Sequence, residues 1–260
     1  MAEVAVAYIG ATLISPRRAG APSTRLLQVS LQLVAAVVAT AIMLRSIDVR
    51  PWADVGMDRR ALNPRAMVEG WLLGGVPIAI ACGLLLAAGW LDVVPGPEGS
   101  SLGAALSLTV FLVIAALGEE IISRGYLLTT LSDGLGEWTA VGVTSFLFGA
   151  AHLRNDGVSV ESFLIVTLAG VFLGAIRIAY RSVYASTAAH VAWNWVLAVA
   201  LHASVSGIRF DAPDYRTVDR GPDLLTGGPW GPEGGLAAAS GMLVGIAYLY
   251  RTRLRRRGES

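Results

Sequence analysis

From Leu102 to Gly118 the chain runs without an ionisable side chain (LGAALSLTVFLVIAALG), and then Glu119, Glu120 and Arg124 fall within six residues. At about 1.5 Å of rise per residue, the apolar run reaches most of the way across the hydrocarbon of a bilayer. In lipid every backbone N–H and C=O has to be satisfied inside the segment, so the run is predicted to be a helix. An ionisable group at that depth costs about 2.5–3.5 kcal/mol or more, so a chain that keeps three of them together normally uses them.

Further apolar runs occupy Leu26–Leu44, Trp71–Leu91, Trp138–His152, Phe163–Tyr180, Val183–His202 and Leu236–Tyr250. Most are of spanning length. The run to His152 is short and reads as a full crossing or as a half-buried helix. With 54% apolar and only 15% charged residues in a chain of 260, the composition is that of a membrane protein. The expected fold is all-α, a polytopic transmembrane helical bundle of seven or eight helices. Residues 1–260 read as a single integral membrane domain. Its motif-bearing core is 102–203, its polar outer loop 204–233 and its basic cytoplasmic tail 251–260. The outer loop, rich in Gly, Pro and Asp, is expected to be irregular. The opening segment Val4–Ile14 is apolar but too short to span. It reads as an interfacial helix or an extra tilted crossing, which is why the helix number stays at seven or eight.

Arg251, Arg253, Arg255, Arg256 and Arg257 place the C-terminus on the cytoplasmic side. Arg177, Arg181 and the loop from Arg45 to Arg65 then fall on that side, and the segments 92–98 and 204–233 outside. Arg17, Arg18 and Arg25 break the pattern unless the opening segment also crosses. All twenty basic residues are arginine, a usage that with so much Ala, Gly and Val suggests a high-GC bacterial genome, so the expected location is a bacterial cytoplasmic membrane. A net charge of +1 gives no reason to expect a nucleic-acid partner. The one cysteine, Cys82, lies in an apolar run and reads as a small buried hydrophobe; a disulfide framework or a zinc-type cysteine cluster is excluded.

Consecutive helical residues point about 100° apart, so Glu119 and Glu120 face different neighbours. Glu120 and Arg124 are spaced i, i+4, the geometry of an ion pair on one face. Glu119 is left for a cavity or a partner helix, where burial suits a carboxylate to general-base work. The expected division of labour gives the chemistry to Glu119 and positioning to Glu120 and Arg124. If the helix turns over 132–137, His152 returns to nearly the height of Glu119 on an antiparallel helix, with Phe148 on the same face as the histidine. His190 and Asn194 repeat the i, i+4 device, offering an imidazole and an amide to an oxyanion. Equally, His190 could ligate a metal with Asn194 behind it. Trp193 and Trp195 read as packing or interface residues, and His202 as a structural group near the outer surface.

Glu119-Glu120-Ile-Ile-Ser-Arg124 has the form EExxxR, Phe148-Gly-Ala-Ala-His152 the form FxxxH, and His190-Val-Ala-Trp-Asn194 the form HxxxN. In these three motifs, in this order, the chain resembles the CPBP group, also called Abi. That group joins CAAX-processing endopeptidases of the Ras-converting type with bacteriocin-processing and self-immunity proteins. The resemblance implies an intramembrane peptidase with a cavity open to the cytoplasm, in which Glu119 and His152 activate a water while His190 and Asn194 hold the oxyanion. The catalytic set is then Glu119, Glu120, His152, His190 and Asn194, oriented by Arg124 and Phe148. Such proteins are filed as metalloproteases, yet a metal-free, glutamate-activated water is also argued for them. Glu119, His152 and His190 could hold a divalent metal such as zinc, but without the HExxH arrangement that makes zinc the default. The metal stays open.

The expected function is hydrolysis of a peptide bond in a membrane-anchored protein or peptide, CAAX-like or a leader, beside the lipid bilayer. A non-catalytic membrane scaffold or a bacteriocin self-immunity protein is the competing reading; it has no need of all four polar site residues. A small proton-relaying transporter is a third, but the inverted repeats and broken helices common in transporters are not evident in the sequence.

Overall fold

The computed structural model describes residues 22–99, 101–210 and 213–255. The opening segment Val4–Ile14 and the last five residues of the basic tail lie outside them.

Helix α1 (Pro22–Ile42) continues through a wider π turn, Met43–Ile47. Helix α2 is Pro64–Ala87. Helix α3 (Ser101–Glu120) leads through a π turn, Ile121–Tyr126, into α4 (Leu127–Leu135). Then come α5 (Glu137–Ala151), α6 (Val160–Tyr180) and α7 (Val183–Trp195), the last prolonged by a π turn to Ala200. A single turn, α8 (Asp223–Thr226), precedes α9 (Leu236–Leu249), which ends in a π turn, Tyr250–Leu254. The fold is the expected all-α helical bundle.

Four helical stretches among the described residues are long and apolar enough to cross a membrane: Thr24–Ile47, Pro64–Ala87, Leu102–Leu135 and Val160–Tyr180. The stretch from Leu102 is 34 residues long, which as a straight rod would measure about 51 Å. It bends instead at Gly125, whose backbone leaves helical geometry inside the π turn. Helices α5, α7 and α9 are shorter, with 15, 13 and 14 residues.

Two expectations need correction. Helix α2 starts at Pro64, not near Trp71. Asn63 caps it, its Oδ1 accepting from the backbone N–H groups of Arg65 at 2.9 Å and Ala66 at 3.2 Å, and proline suits the first helical position. The polar loop 204–233 is not irregular throughout. Its strand β2 (Tyr215–Asp219) pairs antiparallel with β1 (Leu91–Pro95), Leu91 facing Asp219. Two short 3₁₀ turns, Gly228–Trp230 and Pro232–Gly234, follow α8.

Small residues draw the helices together. A side chain at Gly70 or Gly74 would run into the carbonyl oxygens of Ala185 and Ala189, so α2 and α7 meet backbone to backbone, the small-xxx-small device of membrane helices. Gly170 and Gly174 on α6 likewise sit against Ser145 and Val141 of α5. Around α7 the core is filled by Ile78, Leu112, Phe172, Trp193, Leu197 and Met242. Helix α7 therefore stands inside the bundle, held by α2, α3 and α6.

Candidate active site

Helix α3 delivers both glutamates at its last turn. Glu120 points into protein: neither it nor Arg124 has exposed side-chain surface, and Arg124 Nη1 donates to Glu120 Oε1 at 3.2 Å. The same guanidinium donates from Nη2 to the Gly170 carbonyl on α6 at 3.1 Å and lies 4.4 Å from the centre of the Phe148 ring. A fully buried ion pair has to be tied down on several sides to be tolerated, and these contacts hold Arg124 from α6 and from the Phe148 ring.

Glu119 turns the other way, onto a cavity of about 320 Å³. His152, His190 and Asn194 line the same cavity. The rest of the wall is mostly apolar, with Phe111, Leu112, Ile122, Leu147 and Phe210 among its residues. A second, smaller space of about 40 Å³ adjoins His152, His190 and Asn194 and is bounded also by Trp193, Ser206 and Glu233. The structure thus brings Glu119, His152, His190 and Asn194 to one cavity that Phe148 also lines, with Glu120 and Arg124 packed behind.

The two histidines are held by different partners. His152 follows the last residue of α5, and its Nδ1 lies 2.7 Å from the Phe148 carbonyl oxygen. A carbonyl can only accept, so Nδ1 carries the proton and Nε2 of the neutral ring keeps its lone pair. His190 sits inside α7 with Nδ1 3.1 Å from Glu120 Oε1 and Nε2 3.9 Å from Glu119 Oε2. Its Nδ1 is therefore the donor to Glu120, and its Nε2 accepts when the ring is neutral and donates when it is protonated. The Phe148 ring is shared, 4.8 Å from His152 and 6.0 Å from His190 between ring centres.

The Glu120–His190 contact was not foreseen: the residues are 70 positions apart, and the i, i+4 spacing to Arg124 already gave the glutamate a partner. Glu233 and Ser206 were also missed, since both lie in a stretch read as loop. Trp230, fully buried with its ring centre 6.4 Å from that of His152, offers no signal in sequence beyond being an aromatic in a Gly-Pro run. His202 lies outside both cavities; its Nδ1 meets the Tyr215 carbonyl oxygen at 2.8 Å and its ring stacks on Tyr215 at 4.0 Å.

Among the described residues no three His, Cys, Asp or Glu side chains are grouped to hold an ion. Each site histidine gives Nδ1 to a protein oxygen, the Phe148 carbonyl for His152 and Glu120 Oε1 for His190, which leaves Nε2 as the nitrogen turned to the cavity chemistry.

Apolar helices of membrane-spanning length around a buried Glu–Arg pair and a Glu/His/Asn-lined cavity define a helical membrane protein with a polar site inside it. The family comparison then narrows the class. Residues 101–196 match the model of the family described as type II CAAX prenyl endopeptidase Rce1-like. The matched stretch, from the start of α3 to the end of α7, is Rce1-like in sequence and holds every residue of the EExxxR, FxxxH and HxxxN motifs. It is the group to which the motifs pointed, and the match supports a protease-type enzyme. No curated protein and no solved structure matches the chain.

Proposed function

We propose that the protein is an intramembrane endopeptidase that hydrolyses a peptide bond in a membrane-anchored or CAAX-like substrate. The observation that carries this reading is the meeting of Glu119, His152, His190 and Asn194 on one cavity with mostly apolar walls. The family match supports peptidase chemistry and a membrane-associated peptide as its object.

In the proposed reaction Glu119 takes a proton from a water, with the free Nε2 of His152 as second acceptor, and the water oxygen attacks the carbonyl carbon. The carbonyl π electrons move onto oxygen. Protonated His190, donating from Nε2, and the Asn194 amide stabilise that oxyanion. When the tetrahedral intermediate collapses, the C–N bond breaks and Glu119 returns its proton to the leaving nitrogen. Glu120 accepts from His190 Nδ1 throughout and keeps the ring aimed. No step here calls on a metal.

The C-terminus is assigned to the cytoplasmic side. Exposed Arg45, Arg59, Arg60, Arg65, Arg181, Arg251 and Arg255 lie where α1, α6 and α9 finish and α2 begins, the arrangement the positive-inside rule favours.

The test is cleavage of a membrane-anchored peptide library by detergent-purified protein, run beside Glu119→Gln and Asn194→Ala and with and without chelator. Cleavage lost in both variants is the expected result, and the chelator arm decides whether a metal takes part. A wild-type protein that cuts nothing, and holds a partner protein equally well with Glu119→Gln, would favour the scaffold or self-immunity reading.

A further inference from the structure

Glu233 is a carboxylate from the stretch before α9, outside the segment that matches the family, yet it borders the smaller space beside His152, His190 and Asn194. Only 7% of its surface is exposed. Its Oε2 accepts from the Trp193 indole Nε1–H at 3.0 Å; its Oε1 accepts from the Ser206 backbone N–H at 2.6 Å and the Ser206 hydroxyl at 2.7 Å. A buried carboxylate with three donors on two separate segments is a clamp. Each segment leads to the site. Trp193 precedes Asn194 and lies three residues after His190 on α7. Ser206 lines the main cavity, and its carbonyl accepts from Asn155 Nδ2 at 2.9 Å, three residues beyond His152.

The backbone is shaped for this closure. A side chain at Gly207 would collide with the Asp156 carbonyl oxygen, and one at Gly231 with that of Ser204. Both glycines have positive φ, 77° and 109°, which side chains disfavour. The Gly207 N–H also donates to the Trp230 carbonyl at 2.9 Å. Segments 152–157, 204–208 and 228–234 therefore interlock, with Glu233 as the charged group that ties two of them to α7.

We infer that Glu233 is a positioning residue of the site: it fixes the segment that follows His152 against the helix carrying His190 and Asn194. The inference rests on the proposed peptidase reading for its kinetic consequence. Its structural consequence stands apart from turnover. In Glu233→Gln only the amide oxygen accepts, so the N–H₂ is left facing a donor on either the indole or the Ser206 side, and one side of the clamp opens while side-chain volume is kept.

The experiment compares wild type, Glu233→Gln and Trp193→Phe by ¹⁵N-histidine NMR, hydrogen exchange and cleavage kinetics. The chain has only three histidines, so the imidazole signals of His152 and His190 can be followed singly. Expected are displaced His152 and His190 signals, faster exchange across 152–157 and 204–208, and a kcat lowered up to about a hundredfold, as for a small misplacement of reacting groups, with KM little changed. Trp193→Phe, which removes one donor and leaves the carboxylate, moves each readout the same way by less. Unchanged histidine signals in both variants overturn the inference, and so does a kcat equal to wild type with the loops loosened. If wild type cleaves nothing while the histidine signals shift, the peptidase reading fails and the clamp stands.

Discussion

Glu119 keeps 33% of its side-chain surface exposed, whereas Glu120 beside it keeps none. The two should therefore answer mutation differently. Glu119→Gln is expected to abolish cleavage and leave the melting temperature in detergent within experimental spread, because it removes no buried ion pair. Glu120→Ala or Arg124→Ala strands the other member of a fully buried pair, at a cost of about 3–5 kcal/mol. The expected result is a large fall in melting temperature together with lost activity. Wild-type melting of Arg124→Ala would refute the structural role given to the pair. Phe148→Leu removes a cation–π contact worth about 0.5–2 kcal/mol and frees both imidazoles, so it should lower kcat more than stability, as read by kinetics beside a thermal scan.

Among the elements, α7 depends on α2. Gly74→Val puts a branched side chain where the Ala189 backbone lies, one residue before His190. Overpacking costs about 1–3 kcal/mol even where side chains can give, and here the obstacle is backbone. Gly83→Val on the same helix meets nothing within 4 Å and serves as the matched control. The expected outcome is a melting temperature lowered only in Gly74→Val, with activity lost in parallel as α7 is pushed from Glu120. Equal melting of the two variants would show that α2 and α7 do not rely on close approach. At this scale the sequence was legible wherever one residue type settles a local question. Apolar runs marked the helices because lipid leaves the backbone no other choice, and Glu120–Arg124 was legible because i, i+4 is fixed by helix geometry. The start of α2 was hidden because its first turns carry Arg65 and Glu69, which an apolar window excludes. The β1–β2 pair was hidden because LDVVP and YRTVD are short and more than a hundred residues apart. The Glu120–His190 and Glu233–Trp193 contacts were hidden for the same reason: their geometry exists only after the helices have packed.

On the scale of the whole molecule, the arginines and the site report on opposite needs. Among the described residues seven exposed arginines lie at the end of the bundle where α9 finishes, against Arg154, Arg209, Arg216 and Arg220 at the other, so a C-terminal fusion to a fluorescent reporter that matures only in the cytoplasm is expected to fluoresce, and a periplasm-dependent phosphatase fused there to stay inactive. The reverse pattern would invert the proposed orientation. Helix α5 makes the other demand. Its 15 residues span about 22 Å, against roughly 30 Å of hydrocarbon. Trp138 and Phe146 on it are nevertheless exposed, so lipid tails must meet a wall shorter than themselves. A bilayer relieves such a mismatch by thinning locally, and the dimple would lie over the turn that carries His152. The protein would then draw water toward a buried peptide bond by deforming its solvent, and membranes of short-chain lipids should raise both its turnover and its resistance to heat over membranes of long-chain ones.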